Sequence, residues 1–144
     1  MDKTKIQKLS YFLFGLVLVF AFSAFLVSKN MKNPAVSGAS ISFNEDKHDF
    51  GDVVAGPVLE HFFEFTNVGE DKLIISNVTT SCGCTSAVLG EKKEYEPGES
   101  GKVKVTFNTQ GRTGKIEKQI TVTSNDAKNP AKVLTITGNI VNMN

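Results

Sequence analysis

The sequence has no tryptophan, only two cysteines and only four prolines. Two cysteines cannot supply the disulfide framework of a small secreted miniprotein, and without tryptophan the chain lacks the Cys–Trp–Cys pattern of antibody domains. The chain also lacks an excess of either charge, because its formal net charge is +1 over 144 residues. This disfavours nucleic acid or another polyanion as a ligand, since phosphate binding needs clustered positive charge. With 40% hydrophobic residues the chain is not wholly disordered, and apolar packing must supply its core.

The longest apolar run lies near the N-terminus, at residues 9–27, and contains no charged residue. As a helix of roughly 19 residues it would span about 28 Å, close to the thickness of a bilayer core. The apolar region of a cleaved signal peptide is usually shorter, about 7–15 residues. We therefore interpret residues 9–27 as a retained transmembrane anchor, with a cleaved signal segment as the alternative.

The lysines around this run predict its orientation. Three lysines precede the run and two follow it, a small excess that favours the N-terminus inside and the following domain outside. Residues 1–8 are then cytoplasmic, and residues 28–42, which are polar and rich in small side chains, form a linker. In a bacterium, this predicts a single-pass protein of the inner membrane. Its domain, at residues 43–144, would face the periplasm or the exterior.

The remaining residues show the pattern of β-strands and no convincing helix. Apolar and polar side chains alternate at 59–66 and at 103–107, a period of two that is typical of half-buried strands. Further apolar runs cover 73–79, 116–122 and 133–140. Glycine, proline, asparagine and aspartate separate the runs, as turn residues do. No helical crossover of the kind that joins parallel strands is evident.

This spacing predicts an all-β fold, an antiparallel β-sandwich of about seven short strands, preceded by the one N-terminal transmembrane helix. The mixed-charge stretch at 91–99 is expected to be a solvated loop. The side chains that the alternation assigns to the core are Phe63, Phe65, Val103, Val105, Phe107, Ile120, Val122 and Ile136.

Cys82 and Cys84, separated by Gly83, form the one motif with chemical potential. In a straight strand their Cα atoms would lie about 6.6–6.8 Å apart, at the upper limit for a disulfide. A bond between them therefore needs a turn at Gly83. Three interpretations stay open: a structural pair or local disulfide, a soft-metal site for Cu(I) or Zn(II), and a redox or intermolecular thiol role. No second cysteine pair or nearby histidine completes a tetrahedral site within the chain.

The two histidines are expected to be structural. His61 shares a strand face with Phe63, so a partly buried, hydrogen-bonded ring is favoured over a metal ligand, which needs partners. His48 is expected on the surface of a strand. A catalytic dyad of Cys82 and His61 has no support from the sequence. We therefore expect no enzyme activity, no catalytic residue and no cofactor other than the metals considered for the cysteines.

A set of short motifs, taken in order, resembles one known family. The motifs are His48-Asp49-Phe50-Gly51, the run FEFTNVG that begins at Phe63, Ser81-Cys82-Gly83-Cys84-Thr85, Pro97-Gly98-Glu99-Ser100-Gly101 and Ser124-Asn125-Asp126. Over about residues 44–141 the chain resembles the bacterial family called domain of unknown function 1573, whose members look like the immunoglobulin-like domains of Hydin and major sperm protein. The resemblance implies an immunoglobulin-like sandwich exported from a bacterial cell, and it implies no known activity.

These observations favour a non-catalytic binding or scaffolding module that is anchored in the membrane through its N-terminal helix. A protein partner is expected at the strand edges or the loops of the sandwich. No motif indicates a nucleic acid or a small-molecule substrate. The alternative function is that of a thiol module, in which Cys82 and Cys84 bind a soft metal or exchange disulfides.

Overall fold

The computed structural model describes residues 38–142. The predicted anchor at 9–27 lies outside these residues, as do the predicted cytoplasmic segment and most of the predicted linker. Residues 38–142 contain no apolar helix of the length that a bilayer crossing requires. Residues 38–142 form nine strands and no helix, which confirms the predicted all-β class.

The strands pack as a sandwich of two sheets. In chain order they are β1 (Ile41–Phe43), β2 (Lys47–Val54), β3 (Val58–Asn67), β4 (Leu73–Thr80), β5 (Thr85–Leu89), β6 (Glu94–Tyr95), β7 (Ser100–Asn108), β8 (Gly114–Ser124) and β9 (Ala131–Val141). One sheet has the order β1-β3-β7-β5, and the other has the order β2-β9-β8-β4-β6. The number exceeds the predicted seven. The extra strands include β1 and β6, which at three and two residues are too short to show an alternating pattern.

One pairing departs from the predicted antiparallel arrangement. β2 runs parallel to β9, with Lys47 opposite Thr135 and Val54 opposite Val141, whereas the other pairings are antiparallel. Parallel neighbours need a long connection, and here most of the domain separates the two strands in sequence. Our prediction considered only local crossovers, so it missed a parallel pair formed by strands near the two ends of the domain.

The core lies between the two sheets. All eight predicted core residues are at most 1% exposed, which confirms the face that the alternation assigned to each strand. Their partners in the core are Ile41, Leu73, Ile75, Tyr95, Leu134 and Ile140.

Tyr95 corrects the expectation that 91–99 is a wholly solvated loop. It forms half of β6 and is 4% exposed, with its ring edge-on to Phe65 at 4.9 Å between centroids. The ring lies over Gly101, where an added Cβ would come within 2.5 Å of it. Because burial of a large side chain stabilises by about 1.5–3 kcal/mol, this aromatic residue anchors a segment whose charges otherwise favour solvent.

Two buried polar side chains fasten the start of β1. Asn67 accepts a hydrogen bond from the backbone N–H of Ser40, just before β1, at 3.5 Å, and donates hydrogen bonds to the carbonyls of Asp71 and Tyr95, both at 2.9 Å. Asp126 accepts a bond from the backbone N–H of Ile41 at 3.0 Å. Both side chains are at most 1% exposed, and buried polar groups of this kind are stable only when their bonds are made. The chain that enters β1 is therefore an integral part of the sandwich.

Candidate functional site

The cysteine pair lies in the turn that connects β4 to β5. The structure joins Cys82 and Cys84 in a disulfide with their Cα atoms 5.4 Å apart, inside the usual range of about 4.4–6.8 Å. The chain bends here without a positive φ at Gly83. Since metals and disulfides react with thiolates, a bonded pair must be reduced before it can bind a metal.

Threonine hydroxyls brace this turn. Thr80 Oγ1 lies 3.1 Å from the carbonyl oxygen of Cys82 and 3.0 Å from that of Thr85. The hydroxyl of Thr85, a residue only 5% exposed, lies 3.6 Å from Cys82 Sγ and 3.9 Å from Cys84 Sγ. Cys84 also packs against the core. The pair is therefore held on a well-supported turn, with both residues partly exposed.

β5, which starts directly after this turn, is an edge strand. Within residues 38–142 it pairs on one side only, with β7. The carbonyl of Cys84 accepts a bond from Asn108 of β7, and antiparallel ladders alternate the side to which backbone groups point. The backbone N–H and C=O of Ala87 therefore point away from β7, towards the open side.

A groove runs beside this edge, between β5 and β4 of the other sheet. It has a volume of about 200 Å³, and its lining combines apolar side chains of both strands with the polar residues Ser76, Asn77 and Lys93. Val78 and Ala87 are partly buried there, whereas Val88 on the outer face of β5 is 56% exposed. The apolar residues that line it are Ile75, Val78, Ala87, Val88 and Leu89.

The two histidines, each expected to have its own structural role, lie together. The rings of His48 and His61 stack with 3.6 Å between centroids and 9° between planes. His48 belongs to β2 and His61 to β3, which are strands of different sheets. The side chain of His61 is 17% exposed, as expected for a partly buried ring, and that of His48 is 29% exposed rather than fully on the surface.

Glu45, in the connection between β1 and β2, completes this cluster. Its carboxylate accepts a hydrogen bond from His61 Nε2 at 2.8 Å and lies 3.9 Å from His48 Nδ1. Phe50 packs edge-on against His48, and Phe63 packs edge-on against His61, each with 4.7 Å between centroids. Three side chains that accept protons or coordinate metal ions thus lie together, with their rings packed against two phenylalanines.

Sequence reasoning missed this histidine cluster. Alternation with Phe63 did indicate that His61 points inward, and the spacing between His48 and Phe50 carries the same signal. The contact itself depends on β2 of one sheet lying across from β3 of the other. A period of two gives the face of each strand and not the partner that faces it, so the sequence alone does not reveal the cluster.

Comparisons with known proteins agree with this architecture. The model of the family described as protein of unknown function (DUF1573) matches residues 41–140, which covers all nine strands except the last residue of β9. A search of curated proteins finds no match. Among solved structures, a protein of unknown function from Porphyromonas gingivalis has a TM-score of 0.64 and 22% identity, over 76% of this chain and 50% of that one. The present chain therefore spans half the length of that protein.

Two further structures show how widely the fold is used. The ASH / PapD-like domain 7 of human CEP192 has a TM-score of 0.57 and 14% identity, over 80% of this chain and 93% of that one. The secreted serine protease VesC from Vibrio cholerae has a TM-score of 0.56 and 18% identity, over 70% of this chain and 23% of that one. At such identities the likeness shows the fold alone, an immunoglobulin-like β-sandwich.

Proposed function

The chain belongs to the DUF1573 family of proteins of unknown function, and we propose that this member is a non-catalytic binding module displayed outside the bacterial cytoplasm. Its partner is a protein that contributes an extended segment to the edge of β5. Strand addition of this kind draws affinity from backbone hydrogen bonds and specificity from pockets for alternate side chains.

The observation that supports this proposal is the unprotected edge of β5. Edge strands are usually blunted by lysine, proline, bulges or inward charges, because an open row of backbone groups pairs with other chains. β5 reads TSAVL and carries none of these residues. The other side of its sheet differs, because β1 is the edge strand there and covers the end of β3, and β3 carries Glu60 and Glu64 beside the lysines of β7.

The groove beside β5 supplies the second requirement of strand addition. A segment paired with β5 would direct every second side chain towards the interior of the sandwich. There it would meet Val78 of β4 and Ala87 of β5, which line the groove. A volume of about 200 Å³ suits small or medium apolar side chains, so we expect the bound segment to carry them at alternate positions.

A photo-cross-linking experiment tests the location of the partner. A photoreactive residue is placed at Val88, which is 56% exposed, and in a matched control at Val58, which is 60% exposed on β3 of the same sheet. We expect one dominant cross-linked protein at position 88, with a defined segment as its attachment point. Equal cross-linking at the two positions would contradict recognition at β5.

Backbone substitution then tests the mode of binding. Ala87→Pro removes an N–H that points to the open side and leaves the β7 ladder intact, which edge strands tolerate. We expect it to weaken binding of a synthetic peptide copy of the cross-linked segment at least tenfold, by about 1.4 kcal/mol or more. Ala87→Ser, which keeps the N–H, serves as the control. Equal affinities of the two variants would refute strand addition.

Residues 9–27 are proposed to retain the module at the inner membrane, with the domain on the periplasmic or outer side. In bacterial cells, the full chain should stay with membranes after carbonate extraction. Added protease should degrade its domain only once the outer membrane is permeabilised. A soluble periplasmic form whose N-terminus lies beyond residue 27 would instead show a cleaved signal segment.

The alternative function is that of a thiol module. The observation that favours it is the partly exposed disulfide beside the edge of β5. Replacing both Cys82 and Cys84 by serine separates the two functions. A strand-addition module keeps its peptide affinity in this variant, apart from any loss of stability. A thiol module loses metal binding or disulfide exchange with its partner while the domain remains folded.

A further inference from the structure

We propose that Glu45, His48 and His61 form a binding site for a zinc ion at the side of the sandwich where β2 and β3 meet. Two imidazole nitrogens and one carboxylate oxygen suit zinc, and three protein ligands leave a fourth position open to water or to another molecule. This site is separate from the β5 edge and does not depend on the proposed function.

The distances between the donor atoms support this site. The three donor atoms lie within 4.8 Å of one another. Oε1 of Glu45 lies 2.8 Å from His61 Nε2, and Oε2 of the same carboxylate lies 3.9 Å from His48 Nδ1. Zinc bonds of about 2.0–2.1 Å in a tetrahedron place neighbouring ligand atoms about 3.3 Å apart. The two contacts of the Glu45 carboxylate lie on either side of that value, so the donors are near the spacing that zinc needs, and rotation of one ring supplies the rest.

One ring must turn for an ion to bind. A metal lies in the plane of an imidazole that coordinates it, and the rings of His48 and His61 stack 3.6 Å apart and nearly parallel. One ion therefore cannot lie in both planes at once. His48 is the ring that moves, because its side chain is the more exposed and its contact with Glu45 is the longer. Zinc binding thus opens the stack.

The neighbouring carboxylates pair with lysines, whereas Glu45 contacts the two histidines. Its neighbour Asp46 pairs with Lys132, and Glu60 on β3 pairs with Lys104. In the ion pairs among residues 38–142, the carboxylate of Glu45 contacts the two histidines. A divalent ion would therefore replace a proton between Glu45 and His61, without displacing a lysine.

Protons compete with the ion at this site. An ionised carboxylate can only accept a hydrogen bond, so the 2.8 Å contact places a proton on His61 Nε2. Coordination needs the lone pair of that nitrogen, so the proton must leave or move to the other ring nitrogen.

Calorimetric titration of the tag-free full chain in mild detergent with zinc chloride tests the proposal. We expect one zinc ion per chain and an affinity at least about tenfold lower in His61→Gln and in Glu45→Gln. Glu60→Gln, which neutralises a neighbouring carboxylate outside the site, should bind zinc normally. Glu45 is exposed in a connecting segment, so its variant decides the question if His61→Gln fails to fold.

Two further measurements distinguish this site from zinc binding at the cysteine pair. The variant with serine at positions 82 and 84 should keep the same zinc affinity, because the ligands are imidazoles and a carboxylate. In NMR spectra, the ring signals of His48 should shift on addition of zinc as the stack opens. The proposal is overturned by the absence of zinc binding, by unchanged affinity in Glu45→Gln, by unshifted His48 signals, or by loss of binding in the serine variant.

Discussion

Replacement of Cys82 and Cys84 by serine should cost the domain about 2 kcal/mol of unfolding free energy. The disulfide closes a loop of about three residues, and loop-closure entropy for so short a loop corresponds to about 1.6 kcal/mol at 25 °C. The remainder comes from Cys84, whose partly buried side chain packs against the core and is replaced by a more polar one. A long-range disulfide would contribute about 4–5 kcal/mol by the same reasoning.

Urea unfolding of the full chain in mild detergent, followed by tyrosine fluorescence or circular dichroism, measures this difference. In thermal unfolding of a domain of about 100 residues, the same 2 kcal/mol corresponds to a decrease in Tm of about 9 °C. Wild-type protein treated with a reducing agent should unfold close to the serine variant. The same reducing agent should leave the serine variant unchanged, which makes that variant its own control.

Two outcomes would refute the reasoning. A loss above about 4 kcal/mol would mean that the pair holds distant parts of the sandwich together, which a loop of this size cannot do. No loss at all would mean that the thiols are free in the native protein. In that second case, stabilisation of the reduced domain by Cu(I) or zinc would support the thiol module, because ligands that bind only the folded state stabilise it.

Three further predictions concern the buried polar and aromatic contacts. Burial opposes ionisation of Asp126, but hydrogen bonds from the backbone N–H groups of Ile41, Asn129 and Lys128 keep the pKa of this carboxyl below its ordinary value of 3.8. The contribution of the ionised carboxyl to stability is therefore complete above about pH 5 and is lost as the pH falls through the lowered pKa. Asp126→Asn should be less stable than wild type at pH 7. Its unfolding free energy should also change less with pH in the acid range. Gly101→Ala should lower stability by about 1–3 kcal/mol, because the new Cβ would lie 2.5 Å from the Tyr95 ring; an unchanged Tm would contradict this packing. Asn67→Ala should cost about 2–4 kcal/mol in urea unfolding, since it leaves buried carbonyls unpaired, and a loss below about 0.5 kcal/mol would show that water replaces the amide.

The sequence predicted the fold where the physical signal is local. Alternation identified the buried face of β3 and of β7, because a strand with one face in the core must place apolar residues at every second position. It could not reveal the parallel pairing of β2 with β9, which depends on contacts between the two ends of the domain. Tyr95 was missed for the same reason, since its burial depends on the space that Gly101 leaves on another strand.

The candidate sites follow the same division. The cysteine motif is contiguous, so both residues were named from the sequence, and the turn only had to bring them closer. The histidine cluster combines residues of a connecting segment, of β2 and of β3, and each residue by itself fits an ordinary structural role. Only the packing of one sheet on the other shows that His48 and His61 have the partners that a ligand needs.

The two proposed sites lie on opposite sides of the sandwich, and their independence is itself testable. In the four-stranded sheet, His61 of β3 lies opposite Val105 of β7, and Val105 lies opposite Ala87 of β5. Two strand spacings of about 4.8 Å separate the sites along this row, a distance at which the effects of substitutions usually add. The double variant Ala87→Pro, His61→Gln should therefore lose peptide affinity and zinc affinity by the amounts measured for the single variants. A clear departure from additivity would mean that Val105 and its strand couple the two sides, and that occupancy of one site alters the other.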